Sequence, residues 1–99
     1  MVSFKKMWED VSRILSEEKF SELDIIQKFR SGFIVKENES TTLVTRDDFV
    51  DFWCILLYSN EVDYKKLEIN GDSKQIFIYE VTKKLPYVRE EQSILKLIN

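Results

Sequence analysis

Three carboxylates at the start of a predicted helix have the spacing best suited to chemistry. Asp47 and Asp51 lie one helical turn apart, so both could contact a single divalent cation. Asp48 stands three residues after Thr45, which is the spacing of a capping box, and acids at a helix start also offset the helix dipole. Nothing nearby supplies the further oxygen ligands and the glycine turn that a calcium loop needs. The sequence therefore favours capping, and we predict no metal site.

Composition restricts the other catalytic chemistries. The chain contains no His, which excludes Ser–His and Cys–His catalysis, His-ligated zinc and a histidine pH switch. The predicted strands carry no Glu-x-Lys motif of the kind that restriction-type nucleases use to hold a metal, and two Gly cannot form a glycine-rich phosphate loop. The single cysteine, Cys54, is predicted to be packed and inert within an apolar helix. We predict that the protein is not an enzyme and has no catalytic residues and no cofactor.

Length and charge bound the kind of protein. The 99 residues, 43% hydrophobic and 33% charged, suffice for a single domain over residues 1–99 with one core. The net charge of −3 lacks the basic excess of an ordinary nucleic-acid binder. No apolar run approaches the ~18 residues of a membrane span, and the first residues do not resemble a signal peptide. Because one unpaired cysteine suits a reducing compartment, we expect a cytoplasmic protein without membrane association.

Hydrophobic periodicity predicts the elements of the first half. Apolar residues at helical spacing predict a helix over residues 4–17. Residues 24–45 are predicted to form a three-stranded meander, because β-branched runs alternate with turn signals. A capping-box spacing at the start of residues 21–29 leaves a helix there as the alternative. A further helix is predicted from Thr45 to about Ser59, and it is apolar around nearly its whole circumference.

The second half is predicted to contain further short elements. Residues 62–69 are predicted to form a short helix or turn. Asp72 is predicted to cap a helix that stops before Pro86, since the residue preceding a proline avoids helical geometry. Residues 94–98 are predicted to form a terminal strand that could join the meander. The expected fold is α+β, with a small antiparallel sheet packed against three or four helices.

The predicted core comprises the apolar stripes of the first, second and last of the longer helices. Its members are Trp8, Val11, Leu15, Phe49, Phe52, Trp53, Leu56, Phe77, Val81 and Leu85. The second of these helices has more apolar surface than one small sheet can cover. We therefore expect a protein partner or a homodimer, with Tyr58, Val50 and Cys54 at the interface. A monomer is the alternative, if the first helix, the sheet and the terminal strand together cover the surplus.

Two short segments carry a resemblance to a known kind of domain. Thr45-Arg46-Asp47-Asp48-Phe49-Val50-Asp51-Phe52-Trp53 and the later Leu85-Pro86-Tyr87-Val88 are similar to segments of small winged-helix-like domains that accompany bacterial restriction endonucleases and mobile-element proteins. The resemblance spans residues 24–98. It implies a winged-helix-like second half and a non-catalytic accessory, from a bacterial mobile element, that binds nucleic acid or a partner protein.

Basic residues in the second half offer an alternative to protein docking. A DNA-binding segment could lie within residues 65–84. There Lys65, Lys66 and Lys74 could contact DNA phosphates if they cluster. Seven basic and seven acidic residues make residues 60–99 neutral, so a solvated mixed-charge surface is the favoured interpretation. An interaction module is therefore preferred, and a DNA-binding accessory of winged-helix type stays open as the alternative.

Overall fold

The computed structural model describes residues 2–17, 23–37, 39–71 and 73–98, which form an α+β fold. In chain order the elements are α1 (Phe4–Glu17), β1 (Asp24–Phe29), β2 (Gly32–Glu37), β3 (Ser40–Thr45), α2 (Arg46–Ser59), β4 (Glu61–Asp63), α3 (Tyr64–Asn70), α4 (Ser73–Thr82), β5 (Val88–Glu91) and β6 (Ile94–Leu97). The predicted fold class is confirmed. The described residues form two three-stranded antiparallel sheets, however, where the sequence predicted one.

The first sheet is the predicted meander, with strand order β1-β2-β3. Phe33 pairs with Val44 across β2 and β3, and both side chains are fully buried. The alternative of a helix over residues 21–29 is wrong for residues 24–29, which form β1. Residues 21 and 22 lie outside the described part of the chain. Tertiary pairing with β2 thus overrides the local capping signal.

The second sheet has strand order β4-β6-β5, and the prediction that the terminal strand could join the meander is wrong. β6 pairs with β4, where Val62 faces Leu95 and Glu61 faces Lys96. The first pair is buried and the second is of opposite charge, and both stabilise the pairing of β4 with β6. Val62 and Asp63 of β4 belong to the segment 62–69 that the sequence predicted to be a short helix or turn. A two-residue turn at Gln92 and Ser93, both with positive φ, joins β5 to β6.

The hydrophobic core lies between α1, α2, α4 and the inner faces of both sheets. Nine of the ten predicted core residues are buried. Trp8 is the exception, because it is only half-buried and contacts the ring of Phe49 edge-on, with ring centroids 5.4 Å apart. The sequence pattern placed Trp8 on the correct helix face, and its position at the margin of that face leaves part of the indole in solvent.

Helix α4 is enclosed by the rest of the chain. It packs against α1, α2, α3 and β3, and none of its residues is exposed. Its second half, from Phe77 to Thr82, is buried throughout. Asp72, which was predicted to cap this helix, lies outside the described residues. The helix ends at Thr82, and the chain turns through residues 83–87 into β5.

Candidate interaction surface

The carboxylates at the start of α2 are held in a capping arrangement. The backbone N–H of Asp48 donates to the Thr45 hydroxyl at 3.3 Å, and the Asp48 carboxylate accepts from the Thr45 backbone N–H at 2.8 Å. That carboxylate also pairs with Lys74 at 3.5 Å. Asp47 and Asp51 are exposed. Within the described part of the chain, no three acidic or cysteine side chains converge as they would around a metal ion.

One face of α2 remains in solvent. The core side of the helix carries Phe49, Phe52, Trp53 and Leu56, all buried. The predicted interface residues lie along the opposite side at i, i+4 and i+8: Val50 is half-buried, Cys54 is exposed and Tyr58 is 94% exposed. The prediction that Cys54 is packed is wrong, because this residue lies on the side of α2 opposite its buried face. The apolar surplus expected from the sequence is therefore present at the surface.

A groove runs beside this exposed face. It has a volume of about 390 Å³ and is lined by Ile55, Ser59, Glu61, Val62, Asp63, Lys66 and Leu67. The local sequence builds it from two helix ends joined by a short strand. Asn60 adopts a left-handed conformation and donates its N–H to the Leu56 carbonyl at 2.8 Å, which ends α2. Asp63 then caps α3 by accepting from the backbone N–H of Lys65 at 2.9 Å.

The rim of the groove combines apolar protrusions with charges of both signs. Tyr58 follows Ile55 by three residues and therefore neighbours it on the helix surface. Ile69, which is 84% exposed, lies one turn beyond Lys66 on α3. Glu61, Asp63 and Lys66 also border the groove, so two acids and one base lie close to these apolar side chains. We define the docking face as Cys54, Ile55, Tyr58, Ile69 and the groove beside them.

The predicted DNA-contacting lysines are spread over the surface. Lys74 pairs with Asp48 near the first turn of α2, whereas Lys66 lines the groove near the last turn. These two ends are roughly 15 Å apart along the helix axis, given a rise of about 1.5 Å per residue. Lys65 is exposed on the first turn of α3. Lys66 and Lys74 therefore do not form one cluster.

The open side of the meander is a second apolar surface, which the sequence analysis missed. Ile34 faces Leu43 across β2 and β3 on the side away from the core, and Leu43 is 51% exposed. Ile26, at the β-bulge in β1, and Phe29 are also exposed. The available signal was the absence of alternation: Ile25-Ile26 and Phe33-Ile34-Val35 place apolar side chains on both faces of a strand.

A buried carboxylate ties α1 to the loop before β5. Asp10 accepts a hydrogen bond from the Tyr87 hydroxyl at 2.8 Å and pairs with Lys6 at 3.0 Å and Arg13 at 3.4 Å. Burial raises the pKa of Asp10, but the hydrogen bonds from Tyr87 and Lys6 and the charges of Lys6 and Arg13 outweigh burial and lower it. Burial and the Asp10 carboxylate raise the pKa of Tyr87. This network is a structural link between α1 and the chain before β5.

No protein-family model, curated protein or solved structure matches this chain. The helices described in the structure are all too short or too polar to cross a membrane.

Proposed function

We propose that this protein is a non-enzymatic interaction module that binds another protein surface through the docking face. The observation that carries the proposal is the 94% exposure of Tyr58 beside Ile55, Ile69 and a groove with both aliphatic and polar lining residues. Aromatic side chains with a polar tip are enriched at protein interfaces, where they supply much of the binding energy. The groove beside Tyr58 has three aliphatic lining residues among four polar or charged ones, a mixture that suits an apolar side chain with a polar tip.

DNA binding has less support. The order of elements from α2 to β6, with the last strand central in its sheet, supports the resemblance to a helix-turn-helix followed by a wing. In such domains the second helix of the motif enters the major groove, and here that helix would be α4. α1 and β3 pack against α4, whose second half from Phe77 to Thr82 is buried, so only its half-buried first residues face solvent. The β5–β6 turn holds two residues and follows Glu90 and Glu91, which would repel phosphates.

The only cysteine of the chain gives a direct test of the proposal. Cys54 lies on the docking face, so a bound partner should protect its thiol from alkylation. We expect N-ethylmaleimide to modify Cys54 at least about tenfold more slowly in living cells that make the protein than in dilute purified protein. The measurement is the intact mass of the chain after timed quenching.

A matched control corrects for access of the reagent to the cell interior. The variant Cys54→Ser with Lys84→Cys carries its single thiol on an exposed position after α4, outside the docking face. The ratio of its rates in dilute solution and in cells measures reagent access alone, and the ratio for Cys54 is divided by it. We expect a corrected ratio of at least about ten for Cys54; a corrected ratio near one would show that the docking face is free in the cell, and would refute the proposed function.

A further inference from the structure

We infer that the occupant of the docking face is a second copy of this chain, held by a reciprocal exchange in which Tyr58 of each protomer enters the groove of the other. The inference rests on the proposed function and names its partner. A two-fold interface uses the same patch twice, so that patch must carry both a protrusion and a recess. The docking face carries both, since Tyr58 stands beside the groove lined by Ile55, Val62 and Leu67.

The size of the groove suits this ligand. Its volume of about 390 Å³ is at the small end of the range for binding pockets, about 300–1,000 Å³. The side chain of one tyrosine fits a space of this volume, whereas a whole helix does not. Ile55, Val62 and Leu67 supply aliphatic surface. Ser59, Glu61 and Asp63 supply oxygen atoms that can accept a hydrogen bond from a buried phenol.

The charges of the rim are also self-complementary. Glu61, Asp63 and Lys66 all border the groove, so each protomer presents both signs on the surface that would meet its copy. In a two-fold dimer, Lys66 of one protomer can pair with Glu61 or Asp63 of the other. A partner of one dominant charge would leave either the lysine or the acids facing a like charge.

The buried area predicts a dimer of modest affinity. Each tyrosine brings about 150–250 Å² and covers a similar area of groove wall, so the two exchanges account for about 600–1,000 Å². Standard stable interfaces bury about 1,200–2,000 Å² in total, and Ile55 and Ile69 at the rim supply part of the remainder. We therefore expect a concentration-dependent equilibrium between monomer and dimer at micromolar concentrations.

Complementation between two variants tests the exchange itself. Tyr58→Ala removes the protrusion and keeps the groove, whereas Ser59→Trp fills the groove and keeps the protrusion. Each variant alone should self-associate at least about 30-fold more weakly than the wild type, as expected for loss of a central interface tyrosine. An equimolar mixture can still form one exchange, with Tyr58 of the Ser59→Trp chain in the groove of the Tyr58→Ala chain. The mixture should therefore associate at least about tenfold more tightly than either variant alone in sedimentation velocity at the same total concentration.

The controls separate this inference from the proposed function. Leu43→Ala removes an exposed apolar side chain from the meander and should leave association unchanged, and circular dichroism should show native folding for every variant. The exchange would be overturned if Tyr58→Ala dimerised as tightly as the wild type. It would also be overturned if the mixture associated no more tightly than either variant alone. A wild-type chain that stays monomeric while Cys54 is protected in cells would overturn the second copy as partner and leave the proposed function standing.

Discussion

Removing one hydroxyl at Tyr87 tests how the two halves of the fold are joined. Its hydroxyl donates at 2.8 Å to the carboxylate of Asp10, which is only 4% exposed and lies 77 positions earlier in the chain. A hydrogen bond to a charged group contributes about 1.5–3 kcal/mol. Lys6 and Arg13 still pair with Asp10 after Tyr87→Phe, so the free energy of unfolding should fall by an amount at the lower end of this range. We expect a decrease of ~1.5–2 kcal/mol at neutral pH. For a domain of this size the loss lowers Tm by roughly 6–16 °C.

The pH dependence of that loss has a defined sign. Because the folded chain lowers the pKa of Asp10, ionisation of this group stabilises the fold above the ordinary carboxyl pKa of about 3.9. That stabilisation is lost as the pH falls through the lowered folded pKa. The difference between wild type and Tyr87→Phe should therefore be constant from about pH 7 to about pH 5 and should shrink below about pH 4.

Urea unfolding at several pH values measures both effects. Tryptophan fluorescence reports the transition, because Trp53 packs edge-on against Tyr87 with ring centroids 6.0 Å apart. Tyr58→Phe is the matched control, since that side chain is 94% exposed and its hydroxyl should contribute less than ~0.5 kcal/mol to the monomer. A loss below ~0.5 kcal/mol for Tyr87→Phe at neutral pH, or an undiminished loss near pH 3, would refute the reasoning.

Three further substitutions test the core, the cap and the meander by urea unfolding followed by far-UV circular dichroism, because Trp53→Ala removes the fluorescence reporter. Trp53→Ala should cost ~3–5 kcal/mol because the indole is 2% exposed, and a variant melting within a degree or two of the wild type would contradict its central place in the core. Thr45→Ala should cost about 1 kcal/mol by removing the capping box of α2, and full stability would show that Asp48 caps the helix without it. Gly32→Ala should cost ~1–3 kcal/mol, because an added Cβ would collide with the Val44 carbonyl and the Thr45 Cα of the neighbouring strand. An unchanged midpoint for Gly32→Ala would mean that β2 and β3 lie farther apart than described.

Sequence periodicity predicted the helices and the meander because their signals are local. The stripe of α1 and the Thr45–Asp48 capping box are set by residues within one or two turns of each other. The terminal strand β6 was predicted, but β4 and β5 escaped prediction because they have three and four residues and weak local character. β5 reads Val88-Arg89-Glu90-Glu91, and its turn at Gln92 and Ser93 contains no glycine. Only pairing with β6 makes these residues a strand.

The candidate site was predictable in part for the same reason. Helical spacing alone places Val50, Cys54 and Tyr58 on one side of α2, and the surplus of apolar residues indicated that this side would stay uncovered. The groove depends on how Val62 and Leu67 approach Ile55, which follows from the left-handed cap at Asn60 and the short β4. The apolar neighbours of Cys54 in the sequence had indicated a packed thiol, whereas its place on the uncovered side of α2 leaves it exposed.

Sedimentation of the wild-type chain across a dilution series tests the central claim most directly. The claim is that the docking face binds its own copy at micromolar concentrations. We expect a mass approaching twice 11.9 kDa at the highest concentrations and falling toward 11.9 kDa on dilution, with Tyr58→Ala remaining at the lower value throughout. A wild-type mass of 11.9 kDa at every concentration, or a dimer that forms equally well with Tyr58→Ala, would contradict the account.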